Sequence, residues 1–231
     1  MMLFMVGVVA KGQPQLTGAW KTTDGEQQNI MILSEHQFSV AVQNGSTQAY
    51  VGTYGGSWRI EKSDFIQTIE FNTVRPESIG KEEKPNFHLK NGDLILEQDK
   101  KVLSYTRIDD GKPGQLAGAW LITGRMTDKG MSNMTPGARR TMKILSGTRF
   151  QWIAYNIETK EFFGTGGGKY TTENGKYTEH IEFFSRDASR VGMSLQFDFA
   201  IEDGHWRHKG LSSKGEPIDE RWTQREQITL K

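Results

Sequence analysis

The segment Gln15-Leu16-Thr17-Gly18-Ala19-Trp20 returns one hundred positions later as Gln115-Leu116-Ala117-Gly118-Ala119-Trp120, and this internal repeat limits the possible folds more than any other feature of the chain. Twelve extra residues come next in the second copy. The register then holds at an offset of 112, matching Ile32-Leu33-Ser34 with Ile144-Leu145-Ser146, Gly55-Gly56 with Gly167-Gly168, and Ile69-Glu70-Phe71 with Ile181-Glu182-Phe183. A unit of about a hundred residues has the size of an independent domain, and two copies are too few for a solenoid. The spacing predicts two related domains, 13–108 and 115–231. Between them Asp109-Asp110-Gly111-Lys112-Pro113-Gly114 is polar and turn-rich, which makes 109–114 the linker.

Each copy reads as strands. Short runs rich in Val, Ile, Thr and aromatics are punctuated by Asn44-Gly45, Asn91-Gly92, Asn174-Gly175 and Asp203-Gly204, the dipeptides of tight hairpins. In the first copy strands are expected near 17–23, 28–34, 37–43, 48–61, 64–72, 85–90, 93–98 and 101–108. The second repeats them near 117–124, 141–146, 149–156, 161–173, 176–184, 193–202, 205–211 and 218–228. Eight sequential antiparallel strands fit an up-and-down barrel, which removes its own edges by closing, so the expected fold is all-β with two tandem eight-stranded barrels; a sandwich is the second choice. The glycines at 164–168 are followed by no helix carrying a phosphate-binding Lys-Ser or Lys-Thr. They read as a bend or bulge, as do Gly52, Gly55 and Gly56.

The charge balance sets partners. Lysines and arginines nearly cancel the carboxylates, at +1, and no basic stripe alternates with aromatics, so nucleic acid is not an expected partner. The absence of cysteine excludes disulfides, thiol catalysis and cysteine-held metals. Residues 1–12 open with a continuous apolar run from Met1 to Ala10, too short to cross a bilayer as a helix, with small residues spaced as at a cleavage site. Export to the periplasm or the exterior is the expectation; a buried first strand is the alternative.

Gly18-Ala19-Trp20 and Gly118-Ala119-Trp120, each opening an eight-strand pattern, resemble the Gly-x-Trp signature of the lipocalins. The second copy is similar over nearly its whole length to secreted bacterial lipocalin-like domains, notably in Gly166-Gly167-Gly168-Lys169-Tyr170, Tyr177-Thr178-Glu179-His180-Ile181-Glu182 and Glu220-Arg221-Trp222. The resemblance implies a barrel that holds a small, often apolar molecule. It also implies a cation on the last strand stacked over the signature Trp: Arg107 over Trp20, and Arg225 or Arg221 over Trp120.

By this resemblance, the expected ligand-binding residues lie mainly in the second copy: Phe150, Trp152, Phe162, Tyr170, Trp206 and His208, with Met131 and Met134 on the twelve-residue insertion. Tyr50, Tyr54 and Trp58 share one parity in the first copy. The same residues equally describe a filled core. His180 and Glu182, two apart on one strand, share a face and form a candidate acid-base pair, although alternation with Tyr177, Ile181 and Phe183 turns them outward. His205 and His208 fall on opposite faces, so no metal site and no cofactor is indicated. The expected partner is an apolar or amphipathic small molecule, with a protein partner docking on the first domain as a further option. Trp58, Trp152 and Trp206 would serve a carbohydrate-binding module instead if they lay exposed in a row.

Overall fold

The structure, a computed structural model, describes residues 16–112 and 114–230; the apolar N-terminal run lies outside the described residues. It is all-β, with short 3-10 turns. The first unit contains β1 (Gly18–Asp24), β2 (Gln27–Leu33), β3 (Gln37–Asn44), β4 (Tyr50–Glu61), β5 (Asp64–Asn72), β6 (Glu82–Glu83), β7 (Asn86–Lys90), β8 (Asp93–Gln98) and β9 (Lys101–Arg107). The second contains β10 (Gly118–Thr127), β11 (Gly130–Met131), β12 (Arg139–Leu145), β13 (Arg149–Asn156), β14 (Phe162–Glu173), β15 (Lys176–Phe184), β16 (Ser194–Glu202), β17 (His205–Leu211) and β18 (Pro217–Gln224).

Only the second unit closes. Its strands pair sequentially and β10 pairs with β18, giving an eight-stranded antiparallel barrel with the small β11 appended. The first unit is a curled half-barrel ordered β6-β5-β4-β3-β2-β1-β9-β8-β7, with no pairing between β5 and β7. The expectation of two closed barrels is corrected here, and the repeat supplies the reason. Phe197 on β16 pairs with Tyr177 on β15; its counterpart in the first unit is Pro85, which falls in the break between β6 and β7. Proline has no N–H to give a ladder and is confined to edges, so the seam stops after two paired residues, Gln67 with Glu83 and Thr68 with Glu82.

Equivalent side chains do equivalent work in both units. Trp20 Nε1 donates to the Leu16 carbonyl and Trp120 Nε1 to that of Leu116, both at 2.9 Å. Trp58 Nε1 donates to the Ser34 carbonyl at 2.9 Å, as the Tyr170 hydroxyl does to Ser146 at 2.6 Å. Each bond lets a large aromatic be buried without stranding its polar atom.

A β-bulge recurs at the same place in each unit. Gly55 and Gly56 oppose Phe71 and Ile69, leaving Glu70 as the extra residue, and Gly167 and Gly168 oppose Phe183 and Ile181, leaving Glu182. A Cβ on Gly168 would lie 2.0 Å from the His180 carbonyl oxygen, and one on Gly56 equally close to that of Thr68, so the bulge demands glycine opposite it. The extra residue reverses the facing of the strand beyond it. Gln67 and Ile69 face inward, whereas Phe71 joins a third apolar cluster between the units with Ile32, Leu121, Met142, Ile144 and Tyr155. There β2 packs on β13 and β3 on β12, a pseudo-twofold arrangement because β12 and β13 are the repeats of β2 and β3. Gln151 Nε2 bridges Thr53 Oγ1 at 2.8 Å and its repeat Thr165 Oγ1 at 3.0 Å.

Candidate functional site

The two interiors diverge because the lumen residues of the repeat have diverged. In the second barrel Lys143 projects inward from β12. Its Nζ lies 2.7 Å from Glu179 Oε1 and 3.4 Å from His208 Nε2, and between 5.0 and 5.6 Å from the ring centroids of Tyr177, Phe197, Trp206 and Trp222. This is an ammonium in an aromatic box with one carboxylate, an arrangement that stabilises a desolvated cation. Phe150, Tyr170, Trp206 and His208, expected to line a ligand pocket, belong to this packed interior.

His208 is 2% exposed. Burial, together with the neighbouring Lys143 charge, pushes its pKa down to about 4, against the opposing pull of Glu220 and Glu179. The unfolded chain takes up that proton near pH 6.5 while the folded chain does not. This histidine's contribution is therefore retained above about pH 6.5 and lost progressively as pH falls toward 4. The His208 ring proton shifts should stay those of neutral imidazole down to about pH 4 in an NMR titration, and His208→Leu should flatten the matching part of the stability-pH curve.

In the first unit the positions of Lys143, Glu179 and His208 are held by Met31, Gln67 and Leu96. The shorter, uncharged set leaves a cavity of about 400 Å³. That is within the range of small-molecule sites. Its floor and walls are apolar, from Met31, Val40, Val42, Leu96 and Leu103, with the polar groups Asn29, Tyr54, Gln67, Asn72 and Tyr105 set among them. The mouth is formed by the β1–β2 and β8–β9 turns and the loop after β5, where Lys101 pairs with Asp24 and Arg75 with Glu83, the latter at 2.7 Å. Burial pushes the Tyr54 and Tyr105 hydroxyls above their ordinary pKa, so both are neutral at physiological pH, and the two interact with each other.

The other expected residues are dispersed. Trp152 is half-buried, edge-on to Phe184 at 5.4 Å, and Phe162 packs against the cluster between the units. Met131 and Met134 are half-buried in the insertion, which lies back along β10, Met134 N donating to the Thr123 carbonyl and Arg221 Nη2 to Asn133 Oδ1. His180 is exposed, with Nδ1 2.9 Å from Ser194 Oγ, while Glu182 is held by Arg149 at 2.5 Å. Glu182 borders a crevice of about 10 Å³, room for about one water. Trp58 and Trp206 are buried and Trp152 partly so, which leaves no exposed row among them. Tyr50 leaves the parity of Tyr54, because the bulge residue Val51 intervenes, and stacks on Phe183 at 6.2 Å.

At the base of the first unit the Arg107 guanidinium lies 4.1 Å from the Trp20 ring centroid. The second unit differs. Trp20 pairs with Arg107 across the strands, but Trp120 pairs with Gln224, so Arg225 takes the opposite face. There it forms a bidentate pair with Glu70, whose Oε2 also accepts from Tyr155 at 2.7 Å and Arg140 at 3.1 Å. Arg225 over Trp120 is thus corrected: it joins the two units. No simple sequence signal marks this role, because Glu182, the repeat of Glu70, binds within its own unit.

Fold and cavity together define an all-β protein with one closed, filled barrel and one open, hollow half-barrel. No family model and no curated protein matches the chain. Among solved structures, the DNA polymerase III beta subunit of Thermotoga maritima aligns over 92% of this chain and 77% of that one, at 7% identity and a TM-score of 0.17, a likeness that carries no argument. No helix among the described residues is long and apolar enough to cross a membrane.

Proposed function

We propose that the chain is an exported small-molecule-binding protein of lipocalin-like type whose ligand sits in the half-barrel of the first unit. The observation that carries this reading is the 400 Å³ space at the positions where the second barrel is filled by Lys143, Glu179 and His208. Apolar walls and a polar fringe suit an amphipathic molecule. The second barrel, expected to carry the ligand, acts in this reading as the rigid partner against which the open sheet is braced.

Nile red provides the test as a neutral, apolar probe. Its fluorescence should rise on addition of the full-length protein and saturate at one dye per chain. Val42→Trp and Leu103→Trp, which project an indole into the cavity, should each weaken binding at least roughly tenfold while the thermal transition persists, since the lost contacts are worth about 1.4 kcal/mol or more. Dye binding unaffected by either substitution would remove the site from the half-barrel.

A further inference from the structure

We infer that the ligand of the half-barrel carries an uncharged hydrogen-bonding head, such as a hydroxyl or carboxamide, on an apolar body, and that carboxylates and ammonium groups are excluded. This rests on the cavity reading and narrows it to a chemical class.

The charged side chains that line the cavity are largely spent on one another: Lys101 is paired with Asp24 and Arg75 with Glu83, while Asp99 is exposed. The remaining polar groups are amides and tyrosine hydroxyls. Asn29 is 5% exposed and its Oδ1 is buried with no hydrogen-bond partner; Gln67 is 6% exposed and borders the same space. Asn72 is already committed, donating to Ser78 Oγ and accepting from the Val74 and Arg75 amides. A buried amide oxygen without a partner costs free energy that a ligand donor recovers. An ion brought beside Asn29 and Gln67 would have to compete for charges already held in the Lys101–Asp24 and Arg75–Glu83 pairs, and desolvating it costs several kcal/mol.

The second barrel shows what the same scaffold uses when it holds a charge. There the position of Gln67 is Glu179, bonded at 2.7 Å to the ammonium of Lys143, with four aromatic rings around it. In the first unit the carboxylate has become an amide and the ammonium a thioether, at Gln67 and Met31. Both halves of the ionic site are neutral there, so the cavity is selective for a neutral guest.

The test compares decanol, decanamide, sodium decanoate and decylammonium, which share one apolar body, as competitors for Nile red on the full chain at neutral pH, below their micellar concentrations. The two neutral compounds should compete at least tenfold better than either ion. Asn29→Leu should reduce that preference. Gln67→Glu should transfer it to decylammonium, a gain that a damaged fold cannot produce. Equal competition by all four, or tighter binding of an ion to the unaltered protein, overturns the inference and leaves the cavity reading standing. If Nile red binds but no decyl compound displaces it, the inference falls. If Nile red itself does not bind, the cavity reading falls with it.

Discussion

Replacing Glu70 with Ala should cost about 3–5 kcal/mol of stability, the loss typical of breaking a buried charge network by removing one partner. Glu70 contacts Arg225, Arg140 and Tyr155 at once, among the described residues the one carboxylate that does so, and each of those belongs to the other unit. Both arginine side chains are less than a tenth exposed, so removal of the carboxylate leaves two buried cations facing each other. Urea unfolding should show the loss, and the single cooperative transition of the full chain should split in two as the units uncouple. Glu70→Gln keeps the shape and should recover only a small part.

The network also fixes an acid limit. Burial alone would raise the Glu70 pKa, but the bond and charge of Arg225, with help from Tyr155 and Arg140, outweigh it and hold the carboxyl below its ordinary value. A carboxyl with a depressed folded pKa contributes stability in full above its unfolded value of about 4.3, and that contribution disappears as pH falls through the lower folded value. Wild type and Glu70→Gln should therefore differ most near neutrality and converge in acid. Curves that remain parallel down to the acid transition would mean that the ion pair contributes nothing.

The second large effect lies inside the closed barrel. Lys143→Met and Glu179→Gln should each cost about 3–5 kcal/mol: the first leaves the Glu179 carboxylate, 5% exposed, without the ammonium that holds it, and the second leaves Lys143, 6% exposed, only the more distant pull of Glu220. The double variant should recover most of the loss, since a buried ion pair replaced by neutral groups of similar size is often neutral or stabilising. Met and Gln are the residues the first unit carries at these positions, so the scaffold already accommodates that pair. A double-mutant cycle measured by chemical unfolding should give a coupling of about 2 kcal/mol or more between the two sites. Additive losses would show that the 2.7 Å contact is energetically idle.

The strand plan could be read from the chain because it depends on a two-residue period and on hairpin dipeptides, and both are local. β4 and β14, or β5 and β15, match the expected runs within about two residues at each end. The site could not be read in the same way, because single residues decided it. Phe183 shares the parity of Tyr177 and Ile181 in the sequence, but one bulge residue, Glu182, turns it toward the other unit and stacks it on Tyr50. One register step separates Gln224, which pairs with Trp120, from Arg225, which faces away. The replacement of Phe197 by Pro85 is visible on aligning the copies, yet its consequence depends on that position being a barrel seam. The location of the cavity is encoded as a comparison: Lys143, Glu179 and His208 against Met31, Gln67 and Leu96. Those residue types signal different interiors only once the strands place them at one depth.

The pseudo-twofold contact between the repeats carries a consequence for how this molecule behaves on dilution. A pair of equivalent surfaces meeting about an approximate dyad is how two identical subunits associate, and such a pair dissociates when its concentration falls below its Kd. Here the two partners share one backbone, so their encounter is intramolecular and their effective concentration is set by a tether of about six residues, in the millimolar range. The contact between the units accordingly has no dissociation threshold. Two halves expressed as separate chains would reacquire one, and Glu70 would be among the residues that set it.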